Sequence, residues 1–135
     1  MPNPPILPSV RVVSAIIERD GRFLVAQRRA DARLPLLWEF PGGKVEPGET
    51  DHEALARELM ERLGIEVVVE GQELQVDHAY STYRIDLRVH RCRIEGGEPR
   101  PIRVAAVCWA TPEDLSGLSF PGADQASVDA LLEDL

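Results

Sequence analysis

The chain is poor in the features that would cross-link it, anchor it in a bilayer or draw it to a polyanion. Only Cys92 and Cys108 are present, and they lack the close spacing of a zinc site or a CxxC redox pair. Both fall in strand-like runs and read as buried thiols. No apolar run approaches the roughly 20 residues of a membrane span. Residues 1–9 are rich in proline but have neither the basic nor the apolar region of a secretory signal, so the cytoplasm is the expected location and no membrane partner is expected. Positive charge is also scarce, with 15 Lys and Arg against 23 Asp and Glu and a formal net charge of -8. Such a field repels a phosphate backbone at long range, which argues against general DNA or RNA binding. Small phosphorylated ligands stay open, because a few arginines and a divalent cation can overturn the field locally.

A length of 135 residues suits one domain whose core needs neither disulfide nor structural metal. Residues 1–9 read as a flexible N-terminal segment and 10–135 as the domain, acting as a monomer or homodimer. The β-branched run at 10–17, the Asp20-Gly21 pair and the run at 22–27 predict two strands joined about an Asp-Gly turn. Residues 28–37 have no clean period. Pro35 argues for a loop there, leading to a short strand at 38–40 that Pro41, Gly42 and Gly43 should break. Further strands are expected at 65–69, 74–80, 84–94 and 102–110, with a turn at 95–99. Thr111 before Pro112 marks a helix start, and 124–132 reads as a closing amphipathic helix.

The clearest element is a helix over 51–63. Thr50 with Glu53 three residues later forms a capping box, and Gly64 stands where a helix ends. At about 100° per residue, Leu55, Ala56, Leu59, Met60 and Leu63 share one side, while Ala54, Glu58, Glu61 and Arg62 cluster on another. The first stripe is core. The second places Glu58 and Glu61 one turn apart, behind a glycine turn whose backbone can come close to a ligand. Hard oxygen donors in that arrangement suit Mg²⁺ or Mn²⁺, which bridge phosphate oxygens and polarise water for attack on a pyrophosphate bond. Carboxylates also line the wet face of ordinary amphipathic helices, so the longer spacing has to decide.

That spacing runs Gly43, five residues, Glu49, seven residues, Arg57-Glu58-Leu59, Met60, Glu61, Arg62, Leu63, Gly64, Ile65. It resembles the Nudix box, Gly-x5-Glu-x7-Arg-Glu-U-x-Glu-Glu-x-Gly-U with U apolar, and Trp38-Glu39-Phe40-Pro41-Gly42 resembles the MutT branch of that superfamily. One fixed position departs, Arg62 standing where the family has glutamate. The resemblance extends over about residues 10–132 and is nearest to bacterial CTP pyrophosphohydrolases and 8-oxo-dGTP diphosphatases. It implies the Nudix fold of the α/β (α+β) class, a mixed β-sheet sandwiched between helices. It also implies metal-dependent hydrolysis of a (deoxy)nucleoside triphosphate, modified or oxidised ones included, to the monophosphate and pyrophosphate, in the service of nucleotide-pool sanitation.

Carried over residue by residue, the resemblance gives Glu49, Arg57, Glu58 and Glu61 as the catalytic set. The Gly42 carbonyl, Glu58 and Glu61 would hold Mg²⁺ or Mn²⁺, and Glu49 would pair with Arg57 to brace the loop against the helix. Arg62 cannot ligate a cation, and it follows Glu58 by four residues, a favourable spacing for an ion pair. Two compatible readings follow: a helix salt bridge worth about 0.3 to 0.5 kcal/mol, or a guanidinium that competes with metal for Glu58 and offers itself to phosphate. The second leads to a nucleotide-binding protein with weakened or absent turnover.

In MutT relatives a glutamate in the loop before the last strand often serves as base or ligand. Counting back from Trp109 puts Arg103 there, with Glu95 and Glu98 as replacements or as solvated turn charges. Arg28 lies where relatives place an arginine toward phosphate, or is a strand-end surface charge. Tyr80, with Tyr83 beside it, resembles an aromatic lining a base pocket, or is a sheet tyrosine. Asp124 matches a base-reading position and would accept from an amino or imino donor such as the cytosine N4 amine, or simply caps the last helix. The expected partner is a nucleotide.

Overall fold

A computed structural model of the chain describes residues 7–32, 34–118 and 120. In chain order the elements are β1 (Ser9–Ile16), β2 (Glu18–Arg19), β3 (Arg22–Gln27), β4 (Trp38–Glu39), β5 (Gly42–Lys44), α1 (Asp51–Leu63), β6 (Glu66–Ala79), β7 (Arg84–Gly96), β8 (Ala106–Ala110) and α2 (Pro112–Gly117). One sheet has the order β5-β1-β7-β6, with β1 parallel to β7 and the other pairs antiparallel. The other sheet joins β2, β4 and β8 to β3, all antiparallel.

Side chains alternate across a strand, and that alternation builds the layers. Val13 and Ala15 of β1 and Leu24 and Ala26 of β3 pack with Leu55, Leu59 and Leu63 of α1. Their neighbours Ile16, Phe23 and Val25 join Leu115 of α2, Phe40, Leu87 and Val89 in a second core. The strands therefore lie between α1 on one side and α2 on the other, the mixed sandwich expected from the sequence.

The helix over 51–63 forms with the expected ends. Thr50 Oγ1 accepts from the Glu53 amide at 3.2 Å, the Glu53 carboxylate accepts from the Thr50 amide at 3.1 Å, and Gly64 closes the helix at φ 70°. Asp51 anchors the first turn to the sheet. Its carboxylate pairs with Arg11 of β1 and lies 3.1 Å from Nε2 of His90 on β7. Burial alone would raise its pKa, but the hydrogen bonds from His90 and Arg11 outweigh burial and hold it below the usual carboxylate range.

Several strand expectations are corrected. The run at 10–17 does not form the hairpin arm, since β1 ends at Ile16 and the short β2 pairs with β3 about Asp20 and Gly21, at φ 53° and 75°. Two successive positive φ values are what a tight hairpin turn requires. The glycine pair makes a strand instead of a break: β5 lies against β1, and a Cβ on Gly42 would stand 1.9 Å from the Val13 carbonyl oxygen. The expected strands at 65–69 and 74–80 are one strand, β6, whose register shifts at Val69/Gly71 and Gln72/Leu74 absorb the polar stretch between them. Residues 102–105 are not strand. The Ile102 and Arg103 amides donate to the Arg62 carbonyl and so close over the end of α1, leaving β8 to start at Ala106. The expected closing helix at 124–132 and Asp124 lie outside the described residues, and no described helix is long and apolar enough to cross a membrane.

Candidate active site

The turn between β5 and α1 is braced by one side chain. Arg57 donates from Nε and Nη2 to the two oxygens of Glu49, each at 2.8 Å, and from Nη2 to the Lys44 carbonyl at 3.0 Å. Bidentate geometry of this kind fixes orientation as well as energy. Glu49 also accepts from the Glu46 amide at 2.9 Å. The Arg57 guanidinium holds the Glu49 carboxyl at about 2, far below its ordinary value, and Glu49 in turn raises the pKa of Arg57. The Glu49 to Arg57 pair expected from the sequence is present.

Glu58 sits at the centre, only 6% exposed. One of its oxygens accepts from Arg57 Nη1 at 2.9 Å and the other from Arg62 Nε at 2.5 Å. Gly43 makes room for it, because a Cβ there would stand 2.3 Å from the Glu58 carboxyl carbon. Glu61 is more open and lies 3.5 Å from Arg57. Arg62 also reaches toward Glu39, at 4.0 Å, and Glu39 takes a hydrogen bond from Arg28 at 3.0 Å.

Glu39 had no assigned role in the sequence beyond its place in the Trp38-Glu39-Phe40 run. Its side chain is 13% exposed. Burial pushes its pKa up, and the positive charges of Arg28 and Arg62 recover only part of that shift. The missed partner could not be found from spacing, since Arg28, Glu39 and Arg62 come from three separate segments.

These residues stand where two cavities meet. The larger, about 660 Å³, is walled by Val10, Val12, Ser14, Phe40, Tyr80 and Tyr83 among others. The smaller, about 350 Å³, is a charged groove that includes Glu46, Arg57, Glu58, Glu61 and Arg103. Arg28, Glu39 and Arg62 line both. Tyr80 stacks on Tyr83 with ring centroids 5.0 Å apart, and Gly42 lines the larger cavity. Arg103 does line the groove, whereas neither Glu95 nor Glu98 does. Glu98 pairs instead with Arg19 at 3.0 Å.

Among the described residues no cluster of three or more His, Cys, Asp or Glu can hold a metal ion. Mg²⁺, however, is usually held by one or two carboxylates, with substrate phosphates and water supplying the rest. Glu58 and Glu61 open onto one groove and fit that kind of shared site. They do not make a closed protein cage.

A glycine turn feeding a carboxylate-bearing helix, on a mixed sheet between helices and beside a two-part cleft, is the arrangement of a Nudix hydrolase. Residues 12–130 match the NUDIX domain family, and the chain belongs to it. A Mycobacterium tuberculosis protein provisionally named 8-oxo-dGTP diphosphatase 2 is 40% identical over 126 residues, covering 92% of this chain and 89% of its own length. The CTP pyrophosphohydrolase of Escherichia coli K12 is 38% identical over 125 residues, 91% of each chain. The solution structure of the E. coli ORF135 protein is similar with a TM-score of 0.78 at 36% identity, covering 96% of this chain and 94% of that one.

Proposed function

We propose that this chain hydrolyses a (deoxy)nucleoside triphosphate, modified or oxidised bases included, to the monophosphate and pyrophosphate. The observation that carries the reading is the junction of the two cavities at Arg28, Glu39 and Arg62, one side aromatic and apolar, the other charged. A base and sugar fit the first, and a phosphate chain suits the second. Arg28, oriented by Glu39, meets phosphate at the junction. Tyr80 and Tyr83 face the base, and Asp124 is the proposed base reader from the C-terminal segment. Arg57, locked to Glu49, holds Glu58 against the glycine turn. Mg²⁺ or Mn²⁺ held by Glu58, Glu61 and the Gly42 carbonyl would supply charge neutralisation and an activated water. On this reading the chain works in the cytoplasm on the nucleotide precursor pool, as a monomer or homodimer and without binding DNA or RNA directly.

A second reading is favoured by one contact, the 2.5 Å bond that gives one Glu58 oxygen to Arg62. A guanidinium so placed already occupies an oxygen that a metal would need, and it leaves a nucleotide-binding domain with little turnover. One assay separates the two. Pyrophosphate release is measured from a panel that includes CTP and 8-oxo-dGTP, with Mg²⁺ or Mn²⁺, for the parent, Glu58→Gln and Arg62→Glu. Turnover in the parent that falls about 100-fold or more in Glu58→Gln supports the hydrolase. A silent parent with activity appearing in Arg62→Glu sinks that reading and supports the binder.

A further inference from the structure

We infer that Ser14 is a specificity-determining residue, whose hydroxyl hydrogen-bonds the edge of the nucleobase in the larger cavity. The inference rests on the nucleotide reading above and adds which residue discriminates between bases.

Strand alternation sends Val10, Val12 and Ser14 of β1 to the wall of that cavity. The same face continues into Ile16, in the apolar core with Phe40 and Leu87. A serine in this series breaks the apolar pattern. It is 2% exposed, and among the described residues its Oγ has no hydrogen-bond partner. Buried hydroxyls are ordinarily paired, so an unpaired one calls for an explanation.

No described residue is placed to supply the partner. Val12, Phe40 and Leu87, which line the same cavity, carry no polar side-chain atom. Gly42 lies opposite Ser14 in the β1 to β5 register and has no side chain. Of the charged groups that line the cavity, Arg28 bonds Glu39 and Arg62 bonds Glu58. Ser14 does not line the charged groove, so its hydroxyl belongs with the base and sugar, not with the phosphate chain. A hydroxyl both donates and accepts, so it can meet an exocyclic amine, a ring nitrogen or a carbonyl of a base. Being already desolvated, it gives up no water when the matching edge arrives, and it penalises a base that leaves it unpaired.

The test is calorimetric titration of the full chain with dAMP, dCMP, dGMP, dTMP and 8-oxo-dGMP, for the parent, Ser14→Ala and Ser14→Cys. The parent should discriminate among the bases. Ser14→Ala should weaken its preferred monophosphate by roughly 2- to 10-fold and leave the others nearly unchanged. Its melting temperature should hold or rise, because the deleted hydroxyl has no hydrogen-bond partner among the described residues. Ser14→Cys, similar in size but a poor hydrogen-bonding group, should lose the same selectivity. A parent that discriminates while Ser14→Ala keeps the full pattern overturns the role of Ser14 and leaves the hydrolase reading standing. Equal binding of all five by the parent does the same. A lower melting temperature with uniform weakening makes the hydroxyl structural and also overturns the inference. A parent that binds none of them overturns the inference, and pyrophosphate release from the triphosphates decides the hydrolase reading separately.

Discussion

Replacing Gly43 by alanine tests the centre of the site with a single methyl group. The new Cβ would stand 2.3 Å from the Glu58 carboxyl carbon and 2.4 and 2.7 Å from its two oxygens, well inside the 3.4 to 4 Å of ordinary contact. Gly43 is not among the positive-φ glycines, so its backbone accepts alanine and the whole penalty falls on Glu58. The carboxylate has to swing away, losing the 2.9 Å bond from Arg57 and the 2.5 Å bond from Arg62. Hydrogen bonds to charged groups contribute about 1.5 to 3 kcal/mol each when well buried. Both guanidiniums are partly solvated, which lowers the expected loss to about 2 kcal/mol for the pair. For a domain of this size that is a drop of roughly 6 to 10 °C in melting temperature. The assay is thermal unfolding of a double-mutant cycle with Glu58→Ala. Once the carboxylate is gone, Gly43→Ala should cost no more than about 0.5 kcal/mol. An equal penalty in both backgrounds would falsify the claim that Gly43 exists to admit Glu58.

Three further outcomes are expected. Arg57→Lys keeps the charge but cannot span both Glu49 oxygens and the Lys44 carbonyl, so any turnover should fall at least about 10-fold, and unchanged rates would show that the brace is dispensable. The Glu49 carboxyl is held at about 2 against an ordinary 4.5. Its folded value lies below its unfolded one, so its contribution is complete above about 4.5 and disappears as pH falls toward 2. Melting curves of the parent and Glu49→Gln should therefore be furthest apart at neutral pH and converge in acid, and a gap independent of pH would count against the pairing. Burial pushes the Cys92 thiol up to about 12. A thiolate-specific reagent at pH 8 should modify it only after denaturation, and rapid labelling of Cys92 in the folded chain would contradict its place in the core.

Arg62 shows how one residue can satisfy local rules and still change a site. In the last turn of α1 it complements the helix dipole and pairs with a glutamate four residues earlier. Tertiary structure adds Glu39 as a second carboxylate within 4.0 Å, which turns a helix-face arginine into a cation at the meeting point of two cavities.

By itself the sequence determined what a few neighbouring residues can decide. The capping box at Thr50 and Glu53, the left-handed end at Gly64 and the Asp20-Gly21 turn depend on interactions within one turn of chain, and each formed where it was read. The box spacing likewise put Glu58 and Arg57 side by side and Glu49 within reach. Tertiary structure alone decided the partnerships between distant segments. Gly42 and Gly43 look like a break until β1 offers an edge too close for a side chain at Gly42 and Glu58 fills the space beside Gly43. Glu39 is only a member of the Trp38-Glu39-Phe40 run until the fold buries it between Arg28 and Arg62, and Ser14 looks like a strand residue until an apolar wall leaves its hydroxyl without a partner among the described residues. Local propensity acts through neighbours a few residues apart, whereas burial and ion pairing across strands depend on register and packing that no short stretch of the chain contains.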